Sequence, residues 1–238
     1  MNNLFTKNKV KKLPGKGWFT RPLLVLKTKS KKSRLVGKVL KKYKGTMTAK
    51  EGVRLKRMIN SYLNCFLIAN IPVLETRSVL VPTKNGKYRL FQVQPPVPNE
   101  LVLSNYLTTC SKEQAIDVFK QMKQIIQKIE NFNTTHQEKI GMDPKPSNFA
   151  MQNGKVTLID LYPPQIKGKD ELKADDLLKH LRNKPITRAS LLLKRLTREV
   201  INQKIEKHYE TDFLKGKMLW HFSSKWPELT EQFRELMK

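Results

Sequence analysis

Four side chains between positions 143 and 160 are of types that could act together: Asp143, Lys145, Asn148 and Asp160. Carboxylate and amide oxygens suit hard divalent cations such as Mg²⁺, and an ammonium attracts phosphate oxygens. Phosphoryl transfer uses such groups, with a carboxylate near the attacking hydroxyl and metal ions on the phosphates. The intervening residues have a readable shape. Pro144 and Pro146 hold the first three groups in a loop, Asn153-Gly154 marks a tight hairpin turn, and a strand from Val156 to Ile159 ends at Asp160. Singly, each acid has an ordinary explanation: Asp143 as a turn cap before Pro144, Asp160 as a strand end above the Tyr162-Pro163-Pro164 turn. Their joint occurrence carries the information.

Around this segment the pattern changes character along the chain. Phe19–Leu26 and Arg34–Leu40 read as strands joined by a basic turn, Lys27–Ser33. A helix follows from about Ala49 to Ala69. Thr48 and Glu51 give it a capping box, and Val53, Met58, Ile59, Tyr62 and Phe66 recur at helical spacing. Leu74–Pro82 and Tyr88–Val93 read as strands around an Asn85-Gly86 hairpin turn, and the prolines in Gln94–Pro98 make a linker. Beyond the linker the pattern is helical. Ser111 and Gln114 cap a helix with Ala115, Ile116, Phe119, Met122, Ile126 and Ile129 on one face. From Asp170 the helical pattern resumes through Leu177, Leu178 and Leu181, then Leu191–Ile205, then Trp220–Met237. The expectation is an α+β chain in two lobes: a basic arm, mobile, over 1–12, a β-rich N-lobe with one helix over 13–93, a hinge over 94–99, and a helical C-lobe over 100–238.

The run Gly141-Met142-Asp143-Pro144-Lys145-Pro146-Ser147-Asn148, followed by Leu158-Ile159-Asp160, resembles the catalytic and metal-binding loops of the protein-kinase-like superfamily. The resemblance implies a two-lobed kinase-like fold and an ATP- and Mg²⁺-dependent phosphotransferase with its cleft between the lobes. It implies Asp143 as the group that orients the acceptor hydroxyl, Lys145 as a contact to the transferred phosphate, and Asn148 with Asp160 as metal ligands. Upstream, Leu35-Val36-Gly37-Lys38-Val39-Leu40 resembles the family's third-strand lysine motif, so Lys38 is expected on the nucleotide phosphates. Glu51, the only carboxylate in the first 74 residues, is its expected partner; the capping box is the competing use. Gly15 and Gly17 stand where the family's phosphate loop would fall, without its third glycine, and backbone donors to adenine would come from Gln94 or Val97. The chain departs from the regulated protein kinases in three ways. Gly141-Met142 precede Asp143, Leu161-Tyr162 follow Asp160, and only about ten residues separate Asp160 from the next helix. It looks most like the small bacterial and archaeal kinase-like enzymes, a group that includes lipopolysaccharide-core sugar kinases and RIO-type kinases.

Charge bears on the partner. Among 238 residues, 47 are Lys or Arg against 20 Asp or Glu, a formal net charge of +27. Residues 1–60 hold 19 of the basic groups and one acid. Such an excess implies a polyanionic partner, and both an anionic membrane or glycolipid and an RNA fit it. The function classes left open are therefore a kinase acting on a membrane-associated anionic acceptor, an RNA- or ribosome-associated kinase, and a pseudokinase that binds through a basic face. Cys65 and Cys110 fit no metal or redox spacing and read as reduced thiols. The basic N-terminus lacks the apolar core of a signal peptide, and no apolar run is long enough to span a bilayer. The expected location is cytoplasmic, peripheral at the inner membrane face.

Overall fold

The computed structural model describes residues 9–13, 20–27, 35–43, 45–161, 166–168 and 206–238. Its first part is a five-stranded antiparallel sheet: β1 (Lys9–Lys12), β2 (Thr20–Lys27), β3 (Val39–Tyr43), β4 (Arg77–Pro82) and β5 (Tyr88–Gln94), in the order β1-β2-β3-β5-β4. Helix α1 (Ala49–Ile68) connects β3 to the edge strand β4. β5 then returns to pair with β3, which puts β3 in the middle of the sheet.

Strand alternation gives the sheet two faces. Val25, Leu40 and Phe91 form a small core on one, while Tyr43 and Leu90 pack on the other with Met47, Leu55, Met58 and Ile59. α1 begins as its sequence dictates, with the Thr48 hydroxyl accepting the Glu51 N–H and Glu51 accepting the Thr48 N–H. Gly52 lets its first turn approach β4, since a Cβ there would lie 2.9 Å from Leu80. The second half of α1, with Tyr62, Cys65 and Phe66, leaves the sheet and enters a larger core built on the helices.

That core surrounds α3 (Lys112–Thr135), which is capped by the expected Ser111–Gln114 box and preceded by the short α2 (Leu103–Tyr106). Ala115, Val118, Phe119, Met122, Ile125, Ile126 and Ile129 of α3 are all buried. Phe119 stacks on Phe233 at 4.5 Å and meets Phe222 edge-on at 5.1 Å, which seats α4 (Thr211–Ser223) and α5 (Thr230–Met237) against it. Two small ladders complete the described structure: β6 (Lys139–Ile140) with β9 (Ile166–Lys167), and the hairpin of β7 (Phe149–Gln152) and β8 (Lys155–Leu158). The segment after α1 holds that hairpin directly, because Leu74 N donates to Leu158 O and Leu158 N to Pro72 O, both at 2.9 Å.

The architecture is mixed α+β, as the sequence pattern predicts. Four local expectations are corrected. Lys9–Lys12, expected inside a mobile arm, is a strand paired with β2. The strand expected over Arg34–Leu40 starts at Val39, because Leu35–Gly37 form a turn with Gly37 at φ +75°. The β4–β5 connection is wider than a two-residue hairpin turn: it runs from Thr83 to Lys87 and only Gly86 is left-handed, at φ +67°. The last helical stretch divides at Pro227, with α4 starting well before Trp220. By contrast, Asn153 and Gly154 at φ +48° and +74° make the tight β7–β8 turn their sequence announces. The helices expected over 170–205 lie outside the described residues. Among those described, no helix is long and apolar enough to cross a membrane.

Candidate functional site

The loop from Ile140 to Phe149 is fastened at several points before it presents any chemistry. Asn133, near the end of α3, accepts the Ile140 N–H and donates to the Ile140 carbonyl, both at 2.8 Å. The buried Tyr62 hydroxyl donates to the Gly141 carbonyl at 2.5 Å, and Met142 N donates to His208 O at 3.3 Å. Pro146 begins a short 3-10 turn, Pro146–Asn148, closed by Asn148 N donating to Lys145 O.

Asn148 joins this loop to Asp160. Its side-chain amide donates to the Asp143 carbonyl at 3.1 Å, and its own carbonyl accepts from both Ile159 N at 2.8 Å and Asp160 N at 3.2 Å. Three of the sequence-derived residues, Asp143, Asn148 and Asp160, are therefore held together by backbone and amide hydrogen bonds. Lys145 sits on the same loop with an exposed side chain.

From the sheet, the residue that reaches this group is Lys41. Its Nζ lies 3.2 Å from Asp160 Oδ1 and donates to the Ile159 carbonyl at 2.7 Å. Lys38 does not take this place. It follows the Leu35–Gly37 turn, and by strand alternation it shares its face with Leu40, in the core on the side away from α1. Three residues further on, Lys41 falls on the face of Tyr43 and Leu90, which α1 covers and which Asp160 approaches. Glu51 is engaged in the α1 capping box, accepting from Thr48 N at 2.9 Å and from the Thr48 hydroxyl at 3.0 Å.

Gln94, expected as a backbone donor in the hinge, is buried at the end of β5. Its amide donates to Thr76 Oγ1 at 2.8 Å and to Ile159 O at 3.1 Å, so its side chain braces the residue before Asp160. Val97 is half-buried in the extended stretch between β5 and the 3-10 turn Asn99–Leu101. Gly15 and Gly17 lie in the β1–β2 connection, outside the described residues.

On the helical side, Lys217 of α4 donates to Asp143 Oδ1 at 2.6 Å. Burial pushes the Asp143 carboxyl up. The Lys217 hydrogen bond and charge outweigh it, with help from His208 and the Lys145 N–H, and the group is held below the usual carboxylate range. His221, one turn after Lys217, is held below the usual histidine range by burial and by Lys217, against the opposing pull of Asp143, so its imidazole favours the neutral form. Both acids stay reachable, with 32 % of each side chain exposed. Lys41, Lys217, His208 and His221 are site residues that sequence reasoning does not reach. Lys41 is findable once Gly37 is read as a turn; the others sit in a distant helix and the turn before it, and carry no local signal.

The sequence matches, over residues 7–213, a family described as a family of unknown function (DUF6206), and the chain belongs to that family. No curated protein matches it.

Proposed function

We propose that this member of the DUF6206 family is an ATP- and Mg²⁺-dependent phosphotransferase of protein-kinase-like, two-lobed type, acting on a hydroxyl of an anionic acceptor. The observation that most supports it is the meeting of Lys41 with Asp160 beside the Asp143–Asn148 loop. An ammonium from a central strand, two carboxylates and an amide converge there from segments up to 119 residues apart. Such convergence is costly to arrange for structure alone, because each charge gives up hydration to reach it.

The donor set fits a Mg–nucleotide. Lys41 engages one oxygen of Asp160, and Asn148 uses its amide nitrogen, which leaves a carboxylate oxygen and an amide oxygen for a hard cation. When bound, the cation neutralises charge on the phosphates. Lys41 would hold nucleotide phosphate oxygens, exchanging part of its contact with Asp160 for them. Asp143, kept ionised, would accept the hydrogen bond of the acceptor hydroxyl and aim it. The net charge of +27 supports an anionic acceptor, with a membrane or glycolipid surface taken first and RNA as the alternative polyanion. A pseudokinase is the second reading, favoured by the use of Glu51 in the α1 cap rather than at Lys41.

A thermal-shift titration with ATP, with and without Mg²⁺, on the wild type and Asp160→Asn tests the reading. A ligand that binds only the native state must stabilise it. The expected result is a metal-dependent stabilisation that Asp160→Asn loses while still unfolding in a single cooperative transition without ligand, at a melting point lowered by the loss of the Lys41 pair. No stabilisation of the wild type at millimolar ATP would overturn the proposal.

A further inference from the structure

Beside Asp143 the described structure gathers more positive charge than one carboxylate needs. Lys217 reaches Asp143 from α4 at 2.6 Å, and the turn before α4 is tied to the loop by Met142 N donating to His208 O. Phe213 packs between them, its ring 5.6 Å from that of His208 and 5.7 Å from Lys217 Nζ. Lys145 projects from the same loop with its side chain exposed and in no ion pair among the described residues. Lys145, Lys217 and Asp143 are all close enough to His221 to act on its charge.

We propose that Lys145 and Lys217, with His208 and His221 beside them, form a subsite for a phosphate group carried by the acceptor, next to the hydroxyl that Asp143 orients. The subsite rests on the phosphotransferase reading and names the acceptor class for it: a phosphorylated molecule that presents a free hydroxyl. An ammonium has three donors, and Lys217 spends one on Asp143, so two remain for phosphate oxygens. Lys145 adds a second ammonium, on the side of Lys217 and His221 and in place of the transferred-phosphate contact that the resemblance implies for it. The buried Nε2 of His221 has no hydrogen-bond partner among the described residues, leaving the imidazole to respond to a nearby anion. This set is separate from Lys41, which answers to Asp160 on the sheet side. Trp220, 66 % exposed and three residues after Lys217 on α4, places a wide apolar surface beside the charged one. That surface suits a sugar ring or the glycerol region of a lipid. The phosphate can therefore come from a soluble sugar phosphate or from a lipid headgroup.

The test follows the His221 ring proton by NMR across a pH titration of the full chain, alone and with inorganic phosphate, glucose 6-phosphate, or phosphatidylcholine vesicles with and without phosphatidic acid. An anion held beside the imidazole favours its charged form, so bound phosphate raises the His221 pKa. Lys145→Gln, an exposed change with no structural partner to lose, and Lys217→Gln should each weaken that binding by about tenfold or more, whereas the same charge change at Lys38→Gln leaves it unaltered. A shift with glucose 6-phosphate identifies a soluble source, and a shift only with phosphatidic acid a lipid one; either supports the subsite. An unchanged His221 titration with every probe, or wild-type binding by Lys145→Gln, overturns it. ATP–Mg²⁺ stabilisation is measured in parallel. Its absence alongside an intact phosphate response sinks the phosphotransferase reading and leaves a phosphate site, while the converse sinks the subsite alone.

Discussion

Lys38 and Lys41 are the same residue type three positions apart, and the strand's alternation sends them to opposite faces. The alternation decides which one can touch Asp160. Lys41 is 13 % exposed and bonded to Asp160 and the Ile159 carbonyl, so its charge acts in a partly desolvated place where it counts for more than on the surface. On the proposed function, Lys41→Met should lower ATP affinity or turnover by about two orders of magnitude, the scale of losing one directed contact to a phosphate. Lys38→Met should change either by less than about twofold. Calorimetric titration of ATP–Mg²⁺ into both variants measures this. Equal losses would mean that the lysines act only through general positive charge.

α1 is the element that connects the sheet to the loop. Its first half packs Leu55, Met58 and Ile59 against Tyr43 and Leu90, and its second half packs Tyr62, Cys65 and Phe66 into the core around α3. α1 therefore contributes to both hydrophobic clusters, to the sheet-side one through Ile59 and to the helix-side one from Tyr62 onward. Tyr62 also fixes the start of the Gly141–Asn148 loop through the Gly141 carbonyl. Tyr62→Phe keeps the ring and its edge-on contact with Phe66 but leaves that carbonyl buried without its donor, at a cost of about 1–2 kcal/mol. Val53→Ala on the same helix, at a side chain 60 % exposed, should stay within about 0.5 kcal/mol. Urea denaturation of the two variants separates them. Equal stabilities would show that the hydroxyl contact carries nothing.

At the scale of the whole molecule, +27 on 238 residues sets up a field that extends beyond any single pair. Such a field attracts an anionic leaflet and is screened once the Debye length falls below the spacing of the charges. Sedimentation with phosphatidylglycerol-containing vesicles should bring the protein down at about 0.05 M salt and release most of it at about 0.5 M, where the Debye length is several times shorter. Phosphatidylcholine vesicles should not bind it. Recovery of the protein with RNA, and no binding to anionic vesicles, would move the partner to the other polyanion.

The sequence by itself determined what short-range physics decides. The capping boxes at Thr48 and Ser111, the Asn153-Gly154 turn and the α3 stripe formed where they were read, because each depends on hydrogen bonds or steric preferences within a few residues. The grouping of Asp143, Asn148 and Asp160 was legible for the same reason, since one loop and one hairpin join them. Tertiary structure alone decided that Lys41 and not Lys38 meets Asp160, that Glu51 serves the helix cap, and that Lys217 binds Asp143 from 74 residues away. Those outcomes depend on which face of a strand is covered and on how α4 seats against α3 through Phe222 and Phe119. In a chain with 47 basic residues, a lysine's type says nothing about its partner; only packing decides which of them come within reach of which carboxylate.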